Sequence, residues 1–422
     1  MKPSLDIPID GMDTFQLFIA IISLAAVFSI INRKLLKLPD TIGVMLLAIL
    51  TAGGFGLYSF VDKETFMNAC QLVEQIDFKE IVFDFLLGFL LFAGAIHVNL
   101  TALLKERGPV IIYASFGVLI STLLIGTALY GIVTLLSLNI NYLYCLVFGA
   151  LISPTDPVAV LALLKKAGAP KDLEIKIVGE SLFNDGVGIV VFLSIFSLAT
   201  MMEEFSMSHI GLEFLQEAGG GLAMGALLGY VGSRLIQNLR KQPILAVHVS
   251  LAIVMGGYSL SSLLHVSGAL AMVMAGLMVG NTLRKESACK ELQVHMNVFW
   301  KVIDEILNSV LFVLIGVEII ALDFNLNYLI VGLLAIVIVL VSRFISVVMA
   351  NVFLRKEHRS DLMQMYILTW AGLRGGISIA LALSLPEGEI RDALLFTTYV
   401  VVVFSIIVQG LTIERLILKL LK

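Results

Sequence analysis

The chain has 422 residues, 59% of them hydrophobic and only 14% charged, with a mean hydropathy of +0.99. Those values lie outside the range of soluble globular domains. The net charge of −4 carries little information, because in a membrane protein the placement of charge matters more than its sum. Apolar stretches of about 17–25 residues, long enough to cross a bilayer as helix, recur along the whole chain. Thirteen such segments are predicted, at about 12–32, 40–58, 80–98, 108–135, 141–164, 175–201, 212–238, 243–264, 268–283, 298–320, 327–353, 362–385 and 391–418. The expected fold class is therefore all-α, a polytopic membrane protein forming one transmembrane domain over residues 1–422.

Basic residues give the orientation. If the N-terminus lies outside, the inward loops carry Arg33, Lys34, Lys37, Lys105, Arg107, Lys165, Lys166, Lys171, Lys176, Arg234, Arg240, Lys241, Arg284, Lys285, Lys290, Lys301, Arg355, Lys356 and Arg359. The C-terminal end adds Arg415, Lys419 and Lys422, so that 22 of the 28 Lys and Arg face inward, against Lys2, Lys63, Lys79 and Arg391 outside. The positive-inside rule favours this topology, with the C-terminus cytoplasmic. The first segment does not read as a cleavable signal, since acidic Asp6, Asp10 and Asp13 precede it and its apolar run is too long. No soluble regulatory domain is expected, and Cys70, Cys145 and Cys289 are too scattered for a metal site.

Segments 1–6 (12–201) and 8–13 (243–418) have the arrangement of two inverted repeats, with helix breaks at matching places. The fifth member of the first half contains Ser153-Pro154-Thr155-Asp156-Pro157, and the fifth of the second contains Gly372-Leu373-Arg374-Gly375-Gly376. Prolines remove donors and glycines loosen the helix, each beside a charge. Peptide groups freed at mid-depth are tolerated where they line a polar cavity, where they can also bind a cation.

The sixth segment carries Gly179-Glu180-Ser181-Leu182-Phe183-Asn184-Asp185-Gly186. Asp185 falls about ten residues into it, roughly 15 Å along a helix that must cross about 30 Å of hydrocarbon. Ser181 lies one turn earlier on the same face, and Glu180 and Asn184 form the neighbouring pair. A hard monovalent cation shedding water wants such oxygen ligands. A carboxylate removed from water holds its proton more tightly, so that one group can hold a proton or a cation in turn. Charges at this depth are costly and usually functional.

Ser153-Pro154-Thr155-Asp156-Pro157-Val158-Ala159-Val160 and Gly179–Gly186 resemble signature segments of the monovalent cation/proton antiporter family of NhaP-type proteins and animal sodium/proton exchangers. Val341-Ser342-Arg343-Phe344 and Gly372–Gly376 resemble its later motifs, and the similarity spans the whole transmembrane unit. The resemblance implies a thirteen-helix fold with crossing broken helices, a mobile core bundle and a dimerisation bundle. It makes Asp185 the cation and proton site, with Asn184 its motif partner, Ser181 and Thr155 ligands, and Asp156 a polar partner at the crossing. It pairs Glu180 with Arg343 as a structural ion pair. The implied partners are Na+ (or Li+ or K+), protons and a second copy of the chain in a homodimer, with no cofactor.

The chain departs from the family pattern in its third segment, Leu91-Phe92-Ala93-Gly94-Ala95-Ile96-His97-Val98-Asn99, where Ala93 and Asn99 stand at expected acids. Glu305 and Asn308 open the tenth segment and can line the ion path, while Asp84, Glu318 and Asp323 are expected near the outer rim. Arg374 is expected to cap broken-helix carbonyls or pair with an acid. The run Gly219-Gly220-Gly221, with Gly225 and Gly229, reads as helix packing rather than a phosphate loop, and Met272, Met274 and Met278 as core or lipid-facing residues. His97, His248 and His265 read as packed or loop-facing rather than as proton sensors.

Two alternatives use similar residues. An intramembrane aspartyl protease also places aspartates on neighbouring helices, but the Asn184-Asp185 context lacks its Gly-x-Gly-Asp pattern. A cation channel would use the same oxygens, usually in symmetric filter loops rather than one buried carboxylate per chain. The favoured expectation is a secondary transporter, not an enzyme, exchanging one cation for one proton electroneutrally by alternating access.

Overall fold

The computed structural model describes residues 14–58, 61–63, 67, 78, 81–200, 211, 212, 214–285, 290–322 and 324–420. Cys70, Cys289 and Asp323 fall outside them, and the side chain of Asp84 is likewise not described. In chain order the long helices are α1 (Thr14–Ile31), α2 (Asp40–Tyr58), α3 (Ile81–Ile96), α4 (Arg107–Leu135), α5 (Tyr142–Ile152), α6 (Val158–Ala167) and α7 (Lys171–Thr200). They continue with α8 (Gly220–Asn238), α9 (Pro243–Leu263), α10 (Gly268–Lys285), α11 (Lys290–Glu318), α12 (Leu326–Val352), α13 (Leu362–Ala371), α14 (Gly376–Leu383) and α15 (Glu389–Leu420). Every one of the thirteen expected segments carries helix, and seven helices are long and apolar enough to cross a membrane. The protein is multi-pass.

The boundaries differ from the hydropathy reading where polar residues extend a helix beyond its apolar stretch. Helix α7 starts at Lys171, because Pro170 closes the preceding turn and its carbonyl accepts the N–H of Glu174 at 3.1 Å. Asp185 consequently lies fourteen residues from the start of α7, about 21 Å along its axis rather than 15 Å. Helix α11 likewise begins at Lys290, well before the apolar run.

The segments expected at 141–164 and 362–385 are each two helices. Between α5 and α6 the chain leaves the helix over Ser153–Pro157, and between α13 and α14 over Gly372–Gly375. Pro154 and Pro157 cannot donate to a preceding turn, and their rings crowd it, so α5 ends at Ile152. The two stretches run antiparallel against each other, with the Asp156 N–H donating to the Leu373 carbonyl at 2.8 Å. Close approach requires glycine here: a Cβ on Gly375 would lie 2.6 Å from Asp156 Oδ2, and one on Gly372 3.1 Å from the Thr155 methyl.

Small residues set the helix packing around this crossing. Gly221, Gly225 and Gly229 of α8 lie against Ser267, Ala271 and Ala275–Met278, so the glycine run packs α8 onto α10 as its spacing suggests. Met272 is fully buried, and Met274 and Met278 cover the α8 glycines. On the other side of α10, Gly276 and Gly280 take the backbone of α3 at Phe92 and Ile96. Gly186 and Gly188 of α7 leave room for Leu270 of α10 and for the ring of Pro154, bringing α7 onto the first break.

A methyl group at position 280 would collide with main-chain atoms of Ile96, which cannot rotate away. Gly280→Ala is expected to lower the unfolding midpoint of the detergent-purified protein, at a cost of about 1–3 kcal/mol. Gly256→Ala, where a Cβ meets nothing within 4 Å, is expected to be neutral in the same thermal melt.

Candidate functional site

The crossing brings Ser181, Asn184, Thr155 and Asp156 together. Ser181 Oγ donates to the Thr155 carbonyl at 2.6 Å, and Asn184 Nδ2 donates to Thr155 Oγ1 at 2.8 Å. Both contacts come from one face of α7, where residues three apart are neighbours, so α7 is stitched to the first break at two points. The proline-broken stretch makes this possible, because the Thr155 carbonyl belongs to no helical ladder. Ser181, Asn184 and Thr155 are buried, whereas Asp185 and Asp156 are half-buried and within electrostatic reach of each other. Asn184 Oδ1 is buried and receives no hydrogen bond.

Two arginines balance the acids. Arg374, 1% exposed, aims its guanidinium at the first break, donating to the Pro154 carbonyl at 2.9 Å and, still closer, to that of Ser153. Its own N–H donates to Ser405 Oγ at 2.9 Å, and that hydroxyl donates to Gln409 Oε1 at 2.6 Å. Gln409 Nε2 then donates to the Trp370 carbonyl at 3.2 Å, at the end of α13. Arg374 thus satisfies the carbonyls stranded by the prolines. Arg343 of α12 places Nη1 2.5 Å from Glu180 Oε1, with both side chains 5% exposed or less. It also donates from Nη2 to the Leu368 carbonyl at 3.4 Å, tying α7, α12 and α13.

Ser405 and Gln409 escaped sequence reading because they sit in a widened, π-helical turn of α15 (Ser405–Gln409), which no residue pattern announces. A second unforeseen network ties the N-terminal parts of α4 and α7 to the C-terminal end of α12. There the Tyr113 hydroxyl contacts Asn351 Oδ1 at 3.2 Å, and Lys176 Nζ lies 3.4 Å from Ser360 Oγ. Asn351 holds Ser360 by both main-chain groups, accepting its N–H at 2.8 Å and donating to its carbonyl at 3.0 Å.

Other sequence candidates fall elsewhere. Glu305 is exposed and lies 3.6 Å from Lys301, one turn back. The Asn308 amide instead donates to Asp304 Oδ1 at 3.0 Å, so the acid on that face of α11 is Asp304. His97, His248 and His265 are exposed, His265 in a left-handed turn. Asn99 caps the short helix Leu100–Lys105, accepting N–H groups of Thr101 and Ala102. Ala93 is fully buried. Among the described residues no three His, Cys, Asp or Glu converge where they could hold a metal ion. A cation at the crossing would depend on hydroxyl, amide and peptide oxygens beside one or two carboxylates.

A family profile described as "Sodium/hydrogen exchanger, transmembrane" matches residues 20–419. The Na(+)/H(+) antiporter NhaP of Pseudomonas aeruginosa is 42% identical over 412 residues, which cover 96% of each chain. The Na(+)/H(+) antiporter NhaH of Halobacillus dabanensis is 35% identical, over 96% of this chain and 98% of its own. Among solved structures, the sodium proton antiporter MjNhaP1 from Methanocaldococcus jannaschii superposes with a TM-score of 0.77 over 96% of this chain and 98% of its own, at 20% identity, a likeness of fold.

The Glu180–Arg343 contact supplies a stability test. Removing one member of a buried ion pair leaves an uncompensated charge and costs about 3–5 kcal/mol, whereas removing both restores neutrality. Glu180→Gln and Arg343→Met should each lower the melting temperature, and the double variant should recover much of the loss. Strictly additive losses in that cycle would show the two side chains to be uncoupled.

Proposed function

This chain belongs to the sodium/hydrogen exchanger family, and from that membership we propose that it exchanges Na+ for H+ across the bacterial inner membrane, with its exchange site at the crossing of the two broken helices. The single observation that carries the residue assignment is the double stitch of Ser181 and Asn184 onto Thr155. It holds α7, and with it Asp185, against the first break, where peptide and hydroxyl oxygens supply the neutral ligands a dehydrating Na+ requires. Asp185 is the shared carboxylate: a proton bound there displaces the cation, and the cation displaces the proton. Asn184 positions Thr155, Asp156 lends a second negative charge, and Arg374 keeps the break closed.

Alternating access follows from the same geometry. Segments 12–201 and 243–418 carry their breaks at corresponding places, which supports repeat halves whose crossing moves as one body against the rest. The distribution of Lys and Arg supports an outward N-terminus and a cytoplasmic C-terminus.

The charge count supports an electroneutral cycle. Arg343 and Arg374 stand against Glu180, Asp156 and Asp185, leaving one negative charge in excess at the crossing. One proton or one Na+ neutralises it, so both crossings of the membrane carry the same charge.

Asp185→Asn should abolish Na+-driven proton flux in proteoliposomes without loss of folding, because the amide keeps the size and removes the charge. Ser181→Ala should weaken apparent Na+ affinity more than maximal rate. Flux near the wild-type rate in the Asn variant would remove Asp185 from the mechanism. For stoichiometry, clamping the voltage at either sign with potassium and valinomycin should leave the exchange rate and endpoint unchanged. Each additional charge moved per cycle would feel about 2.3 kcal/mol per 100 mV, and a voltage-dependent reversal point would refute one-for-one exchange.

A further inference from the structure

Helix α11 carries an acid that the exchange site as described does not use. Asp304 is half-buried, fourteen residues past Lys290, and so stands about 21 Å along α11, as Asp185 does along α7. Both helices start on the side that the basic residues mark as cytoplasmic. The Asn308 amide fixes the Asp304 side chain, donating to its carboxylate at 3.0 Å and to its main-chain carbonyl at 2.9 Å. Asn308 is itself buried, and these two bonds give its amide N–H groups the partners that burial requires.

The direction in which this stripe of α11 faces is given by Leu311, two turns farther along and on the same side of the helix. Its side chain occupies the space beside Gly376 where any Cβ would clash at 2.8 Å, and the preceding Gly375 lies against the Asp156 carboxylate. The face bearing Asp304 is therefore the one that packs on the crossing, and Asp304 lies inward of that contact, within electrostatic reach of Asp156. Beside it Lys301 and Glu305 are 71% and 63% exposed, charged side chains that require water within their reach. Asp304 thus stands between a hydrated inner approach and the exchange site.

We propose that Asp304 is a staging carboxylate for the cation, a positioning residue whose fixed negative charge, held by Asn308, draws Na+ along α11 from the cytoplasmic side toward Asp156 and Asp185. It acts on the cation's approach and not as a ligand in the occupied site.

The inference rests on the exchange reading, and the test separates the two. In everted membrane vesicles holding the full-length chain, Na+ is added at the cytoplasmic face and proton flux is followed with a pH-sensitive dye. Wild type should exchange and Asp185→Asn should not; failure of that contrast would strike the exchange assignment itself. Given that contrast, Asp304→Asn should raise KM for Na+ about three- to tenfold, the scale for removing one unit charge in a partly hydrated medium, with the maximal rate within about twofold of wild type. Asp304→Glu should restore KM. Raising ionic strength with an impermeant organic cation should narrow the difference between Asp304→Asn and wild type, since an added electrolyte screens a charge that acts at a distance. An unchanged KM in Asp304→Asn overturns the proposal. So does a loss of maximal rate or melting temperature shared by the Asn and Glu variants at unaltered KM, which would make Asp304 a packing residue.

Discussion

Peptide groups that leave a helix inside a membrane need partners, and everything at the centre of this protein follows from how that need is met. Each unsatisfied N–H or C=O in hydrocarbon costs several kcal/mol, so two broken helices are affordable only if each break satisfies the other. The Asp156 N–H finds the Leu373 carbonyl, and the Arg374 guanidinium finds the carbonyls of Ser153 and Pro154. The second arginine is then required to be elsewhere, and Arg343 is, on α12 against Glu180. Placing one cation on stranded carbonyls and another on Glu180 leaves Asp185 as the acid of α7 beside the crossing that neither arginine is spent on.

Packing around the crossing serves the same end. Gly186 and Gly188 permit α7 to press onto α10 and Pro154, and only then do Ser181 and Asn184 reach Thr155. Outside α7, Arg343 reaches the Leu368 carbonyl and Gln409 reaches that of Trp370, so α12, α13 and α15 are fastened to the second break by side chains that cap main-chain acceptors. Buried polar networks of this kind are tolerated when their members are satisfied, and the satisfied ones here are mostly side chain to backbone.

How much of this was legible in the sequence depended on whether an interaction was local or distant. Proline pairs and glycine runs interrupt a helix wherever they occur, so the breaks at Ser153–Pro157 and Gly372–Gly376 could be read directly, as could the stretch of small residues that packs α8 on α10. The start of α7 was misread by four residues because hydropathy discounts Lys171, Asp172 and Glu174, which form good helix under Pro170. Glu305 and Asp304 differ by one position, and only the side that α11 turns toward the crossing decides between them. Ser405, Gln409 and the Tyr113–Asn351–Ser360 contacts join residues far apart in the chain, and a single sequence holds no record of such pairs.

The bond that closes the crossing is made by main-chain atoms alone. A hydrogen bond between the amide of residue 156 and the carbonyl of residue 373 persists whatever side chains those positions carry, provided the flanking prolines and glycines stay. Substitution of the side chain at 156 or 373 leaves the bonding atoms in place, so the chemistry presented at the crossing can change while its closure stays the same.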